Sequence, residues 1–462
     1  MEGHRGRCAA RGVERLRSHA SPDAGPGTEG GMVTSTRRWV SVLLAAALLI
    51  GACGAEDEST ATDEGAAVDG GAEEPAPPEE ALPEEEAEIE DSTAGVTDST
   101  ISIGVHAPET IGGIDIGDLL GLGDMTQLYW DTVNEAGGIH GRTVEVTLGD
   151  DGYDANAAQQ ACRDLIAKDL FFVSGTSGAD QIITCANLAT EVQMPYLSLG
   201  VAEAGLVDRP GYRAMTMTYD GMSELMAEYV LGELAEPETP VAMVRYNSPS
   251  SAGAQDAFTA KMDELGGNVV AADAVDKQGN ANELTAECVK LANLGVEVVF
   301  MILVPTVSTQ LARLCAEQGF TPQYVTVSNT LSCASEPPIG VPELNGCQSF
   351  SAVRVDVTDS PLAKEAMDAW AAAFPDREPP DDLVTFWGLF DIYREALEQM
   401  GPEPSRVKFL ETLDSMQYDN GLANPIDFAG DKIGADSTIV IEATGEAPWE
   451  RELVAEWTSS FG

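Results

Sequence analysis

The sequence predicts an α/β protein built as two similar lobes, and three observations carry that prediction. From Ile101 onward, apolar strand-like runs alternate with amphipathic helical patterns, the signature of βαβ units around a parallel sheet. The alternation restarts near Gly221 as a second series. The two series also share a spacing: Cys162-x-x-Leu165, an apolar strand and Cys185-Ala186 recur as Cys288-x-x-Leu291, a strand and Cys315-Ala316. Two lobes with a cleft between them are implied.

The elements follow in order. "ISIGVHA" alternates as a strand and leads into a helical pattern through "MTQLYWDTVNEAGG", then the strand "GRTVEVTLGDD". A helix at "NAAQQACRDLIAKD", a buried strand "LFFVSG", a helix at "ADQIITCANLATEV" and the strand "MPYLSLG" complete the first series. The second begins with helix "MSELMAEYVLGEL", strand "PVAMVRYN", helix "AGAQDAFTAKMDELGG" and strand "NVVAADAV". It continues with helix "ANELTAECVKLANLG", strand "VEVVFMILV", helix "STQLARLCAEQGF" and strand "QYVTVS".

Ahead of this body lies a different kind of chain. Trp39–Ala52 is a 14-residue apolar run behind Arg37 and Arg38, and a bilayer-spanning helix needs about 20 residues. A charged start, a short apolar run and small residues before a break form the secretory-signal pattern. Ile50-Gly51-Ala52-Cys53 looks like a bacterial lipobox, in which the cysteine is diacylated and becomes the new N-terminus. An ordinary cleaved signal with an incidental cysteine is the competing reading. Residues 32–52 are thus expected to be a lipoprotein signal with Cys53 as the lipid attachment, and 1–31 an over-extended reading frame or a disordered extension. From Gly54 to Asp98 there are seventeen acids and no base, with Pro75, Pro77, Pro78 and Pro83. Such a stretch cannot bury a core and extends by self-repulsion, so 53–98 reads as a disordered acidic tether.

Six cysteines remain beyond the anchor, and an even number in an exported chain suggests disulfides. Cys162 and Cys185 sit on helices flanking one strand, as do Cys288 and Cys315. Crossover helices packed about 8–10 Å apart put such thiols in reach. Cys333 and Cys347 are left to close the loop between them. Metal ligation is the rival, but the chain has no C-x-x-C and few histidines; no metal is expected.

The formal charge of −52 repels nucleic acid and anionic headgroups, so neither is an expected direct partner. Solubility or salt tolerance explains the acidity without a further function. Only His106 and His140 lie beyond the anchor, and neither accompanies a G-x-S-x-G elbow; H-E-x-x-H, Walker A and a strand-linked G-x-G-x-x-G are absent. No enzyme and no cofactor are expected. A secreted hydrolase would have to use one of these histidines. Asp150-Asp151 is expected to cap the following helix rather than to act as an acid–base pair. "VSGTSGAD" ends a buried strand and opens a helix, where free amides with the Thr176 and Ser177 hydroxyls can hold a carboxylate or a polar neutral group. Ser177 and Asp180 also fit a capping box, the competing reading.

"ISIGVHAP", "AGGIHGRTVEV", "GDDGYDANAAQQACRDLIAKD", "SGTSGA" and "MPYLSLG", in this order, together with "NGLANPIDFAGD", resemble the branched-chain-amino-acid-binding (Leu/Ile/Val-binding) type of substrate-binding protein of ABC importers. The resemblance covers about 101–445. It implies two Rossmann-like lobes with parallel sheets joined by a three-crossover hinge, the type I periplasmic-binding-protein fold. Lobe 1 would be 99–218 with about 355–425, and lobe 2 would be 219–354 with about 426–462. In that family two first-lobe loops hold the ligand's α-carboxylate. Thr176 and Ser177 match the first. Val201, Ala202 and Glu203 stand at the second, where a hydroxyl usually follows the Gly. Ser250 and Thr306 occupy positions usually aromatic, and Ser328-Asn329 one where an acid often grips the α-ammonium. A buried ammonium without a carboxylate partner is costly. The resemblance therefore implies a small polar solute other than a standard α-amino acid: an amide, a urea-like compound or a short organic acid. Phe386 and Trp387 are read as core rather than cleft lining. The expected partners are the solute, the permease subunits of an importer and the membrane through Cys53, outside the cytoplasm. A ligand-sensing receptor of the same fold, signalling to a membrane partner, is the alternative.

Overall fold

The computed structural model describes residues 89–461, apart from 112–113, 177, 200–203, 328–332, 334–339, 355–359, 381, 429–430 and 448–449. These residues belong to one unit, Glu80–Gly462. The signal, Cys53 and most of the acidic tether lie outside the described residues.

The alternation of Thr100–Ala107 buries Ile101, Ile103 and Val105 and forms β1, an interior strand of the first sheet. A short hairpin, β2 (Thr110–Ile111) and β3 (Ile114–Asp115), and one turn of helix, α1 (Gly117–Leu120), lead into α2 (Leu122–Glu135). Then follow β4 (Thr143–Asp150), α3 (Ala155–Ile166), β5 (Val173–Gly175), α4 (Ala179–Glu191), β6 (Tyr196–Ser198) and β7 (Tyr212–Ala214). The sheet order is β4-β1-β5-β6-β7, all parallel. Each strand's C-terminal end points to the same edge, where crossover loops converge.

The chain passes to the second sheet through α5 (Tyr219–Tyr229). It then runs β8 (Pro240–Tyr246), α6 (Pro249–Leu265), β9 (Asn268–Val275), α7 (Ala281–Leu294), β10 (Val298–Ile302), α8 (Pro305–Glu317), β11 (Gln323–Val327) and β12 (Gln348–Ser351). Next α9 (Pro361–Ala373), α10 (Leu383–Met400) and α11 (Arg406–Ser415) return to the first lobe, where Trp370, Phe390 and Phe409 share a core with Ile101 and Val105. Phe386 and Trp387 are buried in that core, as expected. The small pair β13 (Gln417–Tyr418) and β14 (Ile426–Asp427) precedes β15 (Thr438–Ala447) and β16 (Glu450–Thr458), which complete the second sheet. Its order is β16-β15-β12-β11-β10-β8-β9, parallel except for β15, which pairs antiparallel with both β12 and β16.

The chain thus crosses between sheets three times, and the crossing segments hold one another. Ala214 N donates to Lys432 O and Gly434 N to Ala214 O, while Asn424 N donates to Ala352 O and Arg354 N to Leu422 O. This is the two-lobe, three-crossover architecture that the sequence implies.

Two expectations need correction. Ordered chain begins well before Ile101: Gly95 N donates to Asp169 Oδ1, Ser102 N to Gly95 O, and Ile89 packs on the first core. Apolar contact of Ile89 and Val96 with the first core ties this part of the acidic run to the body. The strand ladders of "LFFVSG" and "MPYLSLG" are also shorter than expected, at three residues each. The three disulfides are Cys162–Cys185, Cys288–Cys315 and Cys333–Cys347. Among the described residues no helix is long and apolar enough to cross a membrane.

Candidate functional site

At the C-terminal edge of the first sheet, β1, β4, β5 and β6 deliver four loops. Thr176 follows β5 directly. It is buried, and both its amide (3.3 Å) and its hydroxyl (3.2 Å) donate to His106 O at the end of β1. Beneath it lies a closed polar cluster. His106 Nδ1 is 2.8 Å from Asp151 Oδ2, and Nε2 is 2.7 Å from the Tyr196 hydroxyl. Burial pushes the Tyr196 phenol well above its ordinary pKa, so it keeps its proton.

Asp150 and Asp151 do not cap α3, as the sequence suggested. Asp154 does, accepting from Asn156 N at 2.9 Å and Ala157 N at 3.1 Å. Asp151 is taken by His106. Asp150 accepts from Thr110 Oγ1 (2.8 Å) and from the amides of Glu109, Thr110 and Gly152. Burial alone would raise its pKa, but these hydrogen bonds outweigh it and lower the value. Glu109 moves the other way, raised mainly by burial despite the amide of Gly123.

Of the expected Ser177–Asp180 capping box, Ser177 lies outside the described residues. The cap position is Gly178, with φ of 81° and no side-chain cap. The Asp180 carboxylate instead meets Lys277 Nζ at 3.0 Å. Lys277 belongs to the loop after β9, in the other lobe. Its ammonium lies 4.7 Å from the Tyr153 ring centre and 5.5 Å from that of Tyr246, within cation–π range. Tyr153 comes from the first lobe and Tyr246 from the second, so one ammonium ties the two lobes across their cleft. Tyr153 is held for this contact by its amide, which donates to Asp151 Oδ1 at 2.9 Å, and by a left-handed φ of 51°. Beside it the carboxamide of Gln181 is fully buried, and among the described residues neither its oxygen nor its nitrogen has a partner.

In the second lobe Ser250 and Thr306 stand in the first turns of α6 and α8, at the ends of β8 and β10. Ser250 Oγ is 3.0 Å from Ser248 Oγ, which caps α6, and Thr306 is exposed. Ser177, Val201, Ala202, Glu203, Ser328 and Asn329 lie outside the described residues. Thr176, Ser250 and Thr306 therefore occupy corresponding strand ends in the two lobes. Lys277, Tyr153, Tyr246 and Gln181 are the residues that sequence reading missed. Lys277 carried one usable signal: it stands two residues past the end of strand "NVVAADAV", in the loop at that strand's C-terminal end.

Metal ligation finds little chemistry here. Among the described residues His106, Cys162 and Cys185 cluster, with ligand atoms within 4.8 Å. The two sulfurs are bonded to each other and both ring nitrogens are engaged, so the set offers no thiolate and no free imidazole nitrogen.

A family profile described as periplasmic binding protein matches residues 100–445. A Leu/Ile/Val-binding protein homolog from Brucella melitensis is 23% identical over 213 residues, 45% of this chain and 56% of that protein. The chain thus matches little more than half the length of that curated relative. Among solved structures, a fatty acid ABC transporter substrate-binding protein from Thermomonospora curvata superposes with a TM-score of 0.67 at 20% identity, covering 79% of this chain and 94% of that one. A branched chain amino acid ABC transporter protein from Thermus thermophilus with bound valine gives 0.66 at 16% identity, covering 79% and 98%. A solute binding protein from Rhodopseudomonas palustris in complex with 3,4-dihydroxybenzoic acid gives 0.60 at 16%, covering 75% and 93%. These likenesses establish the fold, and the three differ in ligand.

Proposed function

Because the chain belongs to the periplasmic binding protein family, we propose that it is an extracytoplasmic solute-binding receptor of an ABC importer, lipid-anchored through Cys53. Two lobes, 99–218 with 355–425 and 219–354 with 426–462, close on a small polar solute and present the permease subunits with a closed surface. The observation that carries this reading is the cleft itself: strand-end loops of two parallel sheets face each other across a three-segment hinge, bridged by Lys277. The solute is an amide, a urea-like compound or a short organic acid rather than a standard α-amino acid. Two things support that choice. Ser328 and Asn329 stand where the family usually places an acid, and the Asp180 carboxylate at the first-lobe rim is already matched by Lys277. A ligand ammonium would have to displace that lysine.

A thermal-shift screen of the full chain against amino acids, amides, ureas, short carboxylates, fatty acids and aromatic acids tests the reading. A ligand at 100 times its dissociation constant stabilises the folded state by about 2.7 kcal/mol. Shifts with amides or organic acids and none with amino acids are expected. A shift only with branched amino acids would overturn the solute class, and silence across the whole screen would overturn the receptor reading. Cys53→Ala is expected to abolish labelling by a fatty-acid analogue in cells; persistent labelling would place the anchor elsewhere or nowhere.

A further inference from the structure

Gln181 lies in the first turn of α4, six residues past the Gly175 that ends β5 and close to the loop that carries Thr176, yet its carboxamide does no visible structural work. The side chain is fully buried, and both Oε1 and Nε2 lack a partner among the described residues. Buried polar groups in folded proteins nearly always find one, and leaving both halves of an amide unmatched costs free energy. The carboxamide lies directly against Gly178 and the ring of Tyr153: a Cβ added at Gly178 would be 2.1 Å from Gln181 Oε1 and 3.3 Å from Tyr153 Cε2. Glycine at 178 therefore leaves the space that the amide occupies. Tyr153 in turn supports the ammonium of Lys277, which closes this side of the cleft.

Resting on the solute-receptor reading above, we infer that Gln181 selects the solute, and that the group it selects is a carboxamide or urea. The reason is stereochemical. Gln181 offers one acceptor and a two-hydrogen donor side by side. A carboxamide or urea presents the mirror pair, its N–H donating to Oε1 while its carbonyl accepts from Nε2–H, and both halves are satisfied at once. A carboxylate accepts from Nε2 but turns a second oxygen toward Oε1. An ammonium donates to Oε1 and leaves Nε2–H unmatched. Sites built on paired hydrogen bonds reject analogues that lack one of them, because the site's own group is then left bare.

The test uses the full chain and four probes of similar size: isobutyramide, N-ethylurea, isobutyrate and valine, followed by thermal shift and calorimetry. The wild type is expected to bind isobutyramide or N-ethylurea at least tenfold tighter than isobutyrate or valine. Gln181→Met, close in shape and apolar, is expected to lose that preference and, without probe, to melt at or above the wild-type temperature. Gln181→Glu is expected to lose it as well. A Gln181→Met protein that melts clearly lower would show the carboxamide to be structural and overturn the inference. So would amide binding that Gln181→Met leaves unchanged, or a wild-type preference for isobutyrate or valine; these outcomes keep the receptor reading. A wild type silent to all four probes also overturns the inference, and the wider solute screen then decides whether the receptor reading falls with it.

Discussion

At Gly175 a methyl group has nowhere to go: an added Cβ would sit 2.1 Å from the Tyr196 hydroxyl and 2.5 Å from His106 Nε2. The glycine is thus a condition of the His106–Tyr196 hydrogen bond, and that bond anchors the strand end beneath Thr176. His106→Phe would leave the Asp151 carboxylate and the Tyr196 hydroxyl buried without this partner. Removing one member of a buried pair costs about 3 kcal/mol or more, so the urea midpoint should fall steeply at unchanged slope; a loss under about 1 kcal/mol would refute the cluster's structural role. Asp150 gives a prediction in pH. Its folded-state pKa is lowered by the Thr110, Gly152 and Glu109 hydrogen bonds against the opposing effect of burial. A lowered value stabilises the fold above the unfolded carboxylate pKa of about 4 and loses that contribution as pH falls through the folded value. Asp150→Asn should therefore be less stable than wild type at neutral pH, with the two curves converging under acid. Curves that stay parallel would remove the carboxylate from the account.

The Cys162–Cys185 bridge works one scale up, tying α3 to α4 and so fixing the loops that open both helices toward the cleft. It closes a sequence separation of 23, for which the chain-entropy model gives about 3 kcal/mol. The double variant Cys162→Ala with Cys185→Ala should lose roughly that much in a denaturant titration and should also weaken solute binding. An unchanged midpoint would mean that packing alone holds the helix pair. This bridge was legible in the sequence because its two cysteines lie on consecutive crossover helices, a local relation. Thr176, Ser250 and Thr306 were legible as strand-end positions for the same reason. What was not legible depends on side chains meeting from distant parts of the chain. Asp180 reads as a cap until Lys277, 97 residues away, takes its carboxylate. Asp151 reads as a cap until the ring of His106 is found beside it. The return of α9, α10 and α11 to the first lobe and the antiparallel pairing of β15 with β12 are long-range choices that local periodicity does not encode. Ile89 and Val96 are too sparse an apolar signal to reveal that this part of the acidic run packs on the body.

Closure sets two opposing electrostatic effects against each other across the whole molecule. Residues 99–462 hold 56 acids and 18 bases, so bringing two acidic lobes together is resisted by long-range repulsion. Lys277 acts locally and attractively, with Asp180 at 3.0 Å and a tyrosine ring from each lobe. Side-chain exposures of 22% for Lys277 and 28% for Asp180 make this a half-sheltered contact. Salt separates the two. At about 0.15 M the screening length is about 8 Å, which weakens repulsion between distant surface charges more than a sheltered contact. The wild type should therefore become more compact by small-angle scattering as salt rises. Lys277→Met keeps most of the stem but loses the ammonium, so its radius of gyration should exceed the wild-type value at every salt concentration and its affinity for solute should fall. Exchanging the charges, with Asp180→Lys and Lys277→Asp together, should recover part of the ion pair but not the stacking on Tyr153 and Tyr246. The exchanged protein is thus expected between wild type and Lys277→Met. A Lys277→Met protein as compact as wild type would show that the hinge segments alone set the closed state and that the lysine is only a neighbour of the cleft.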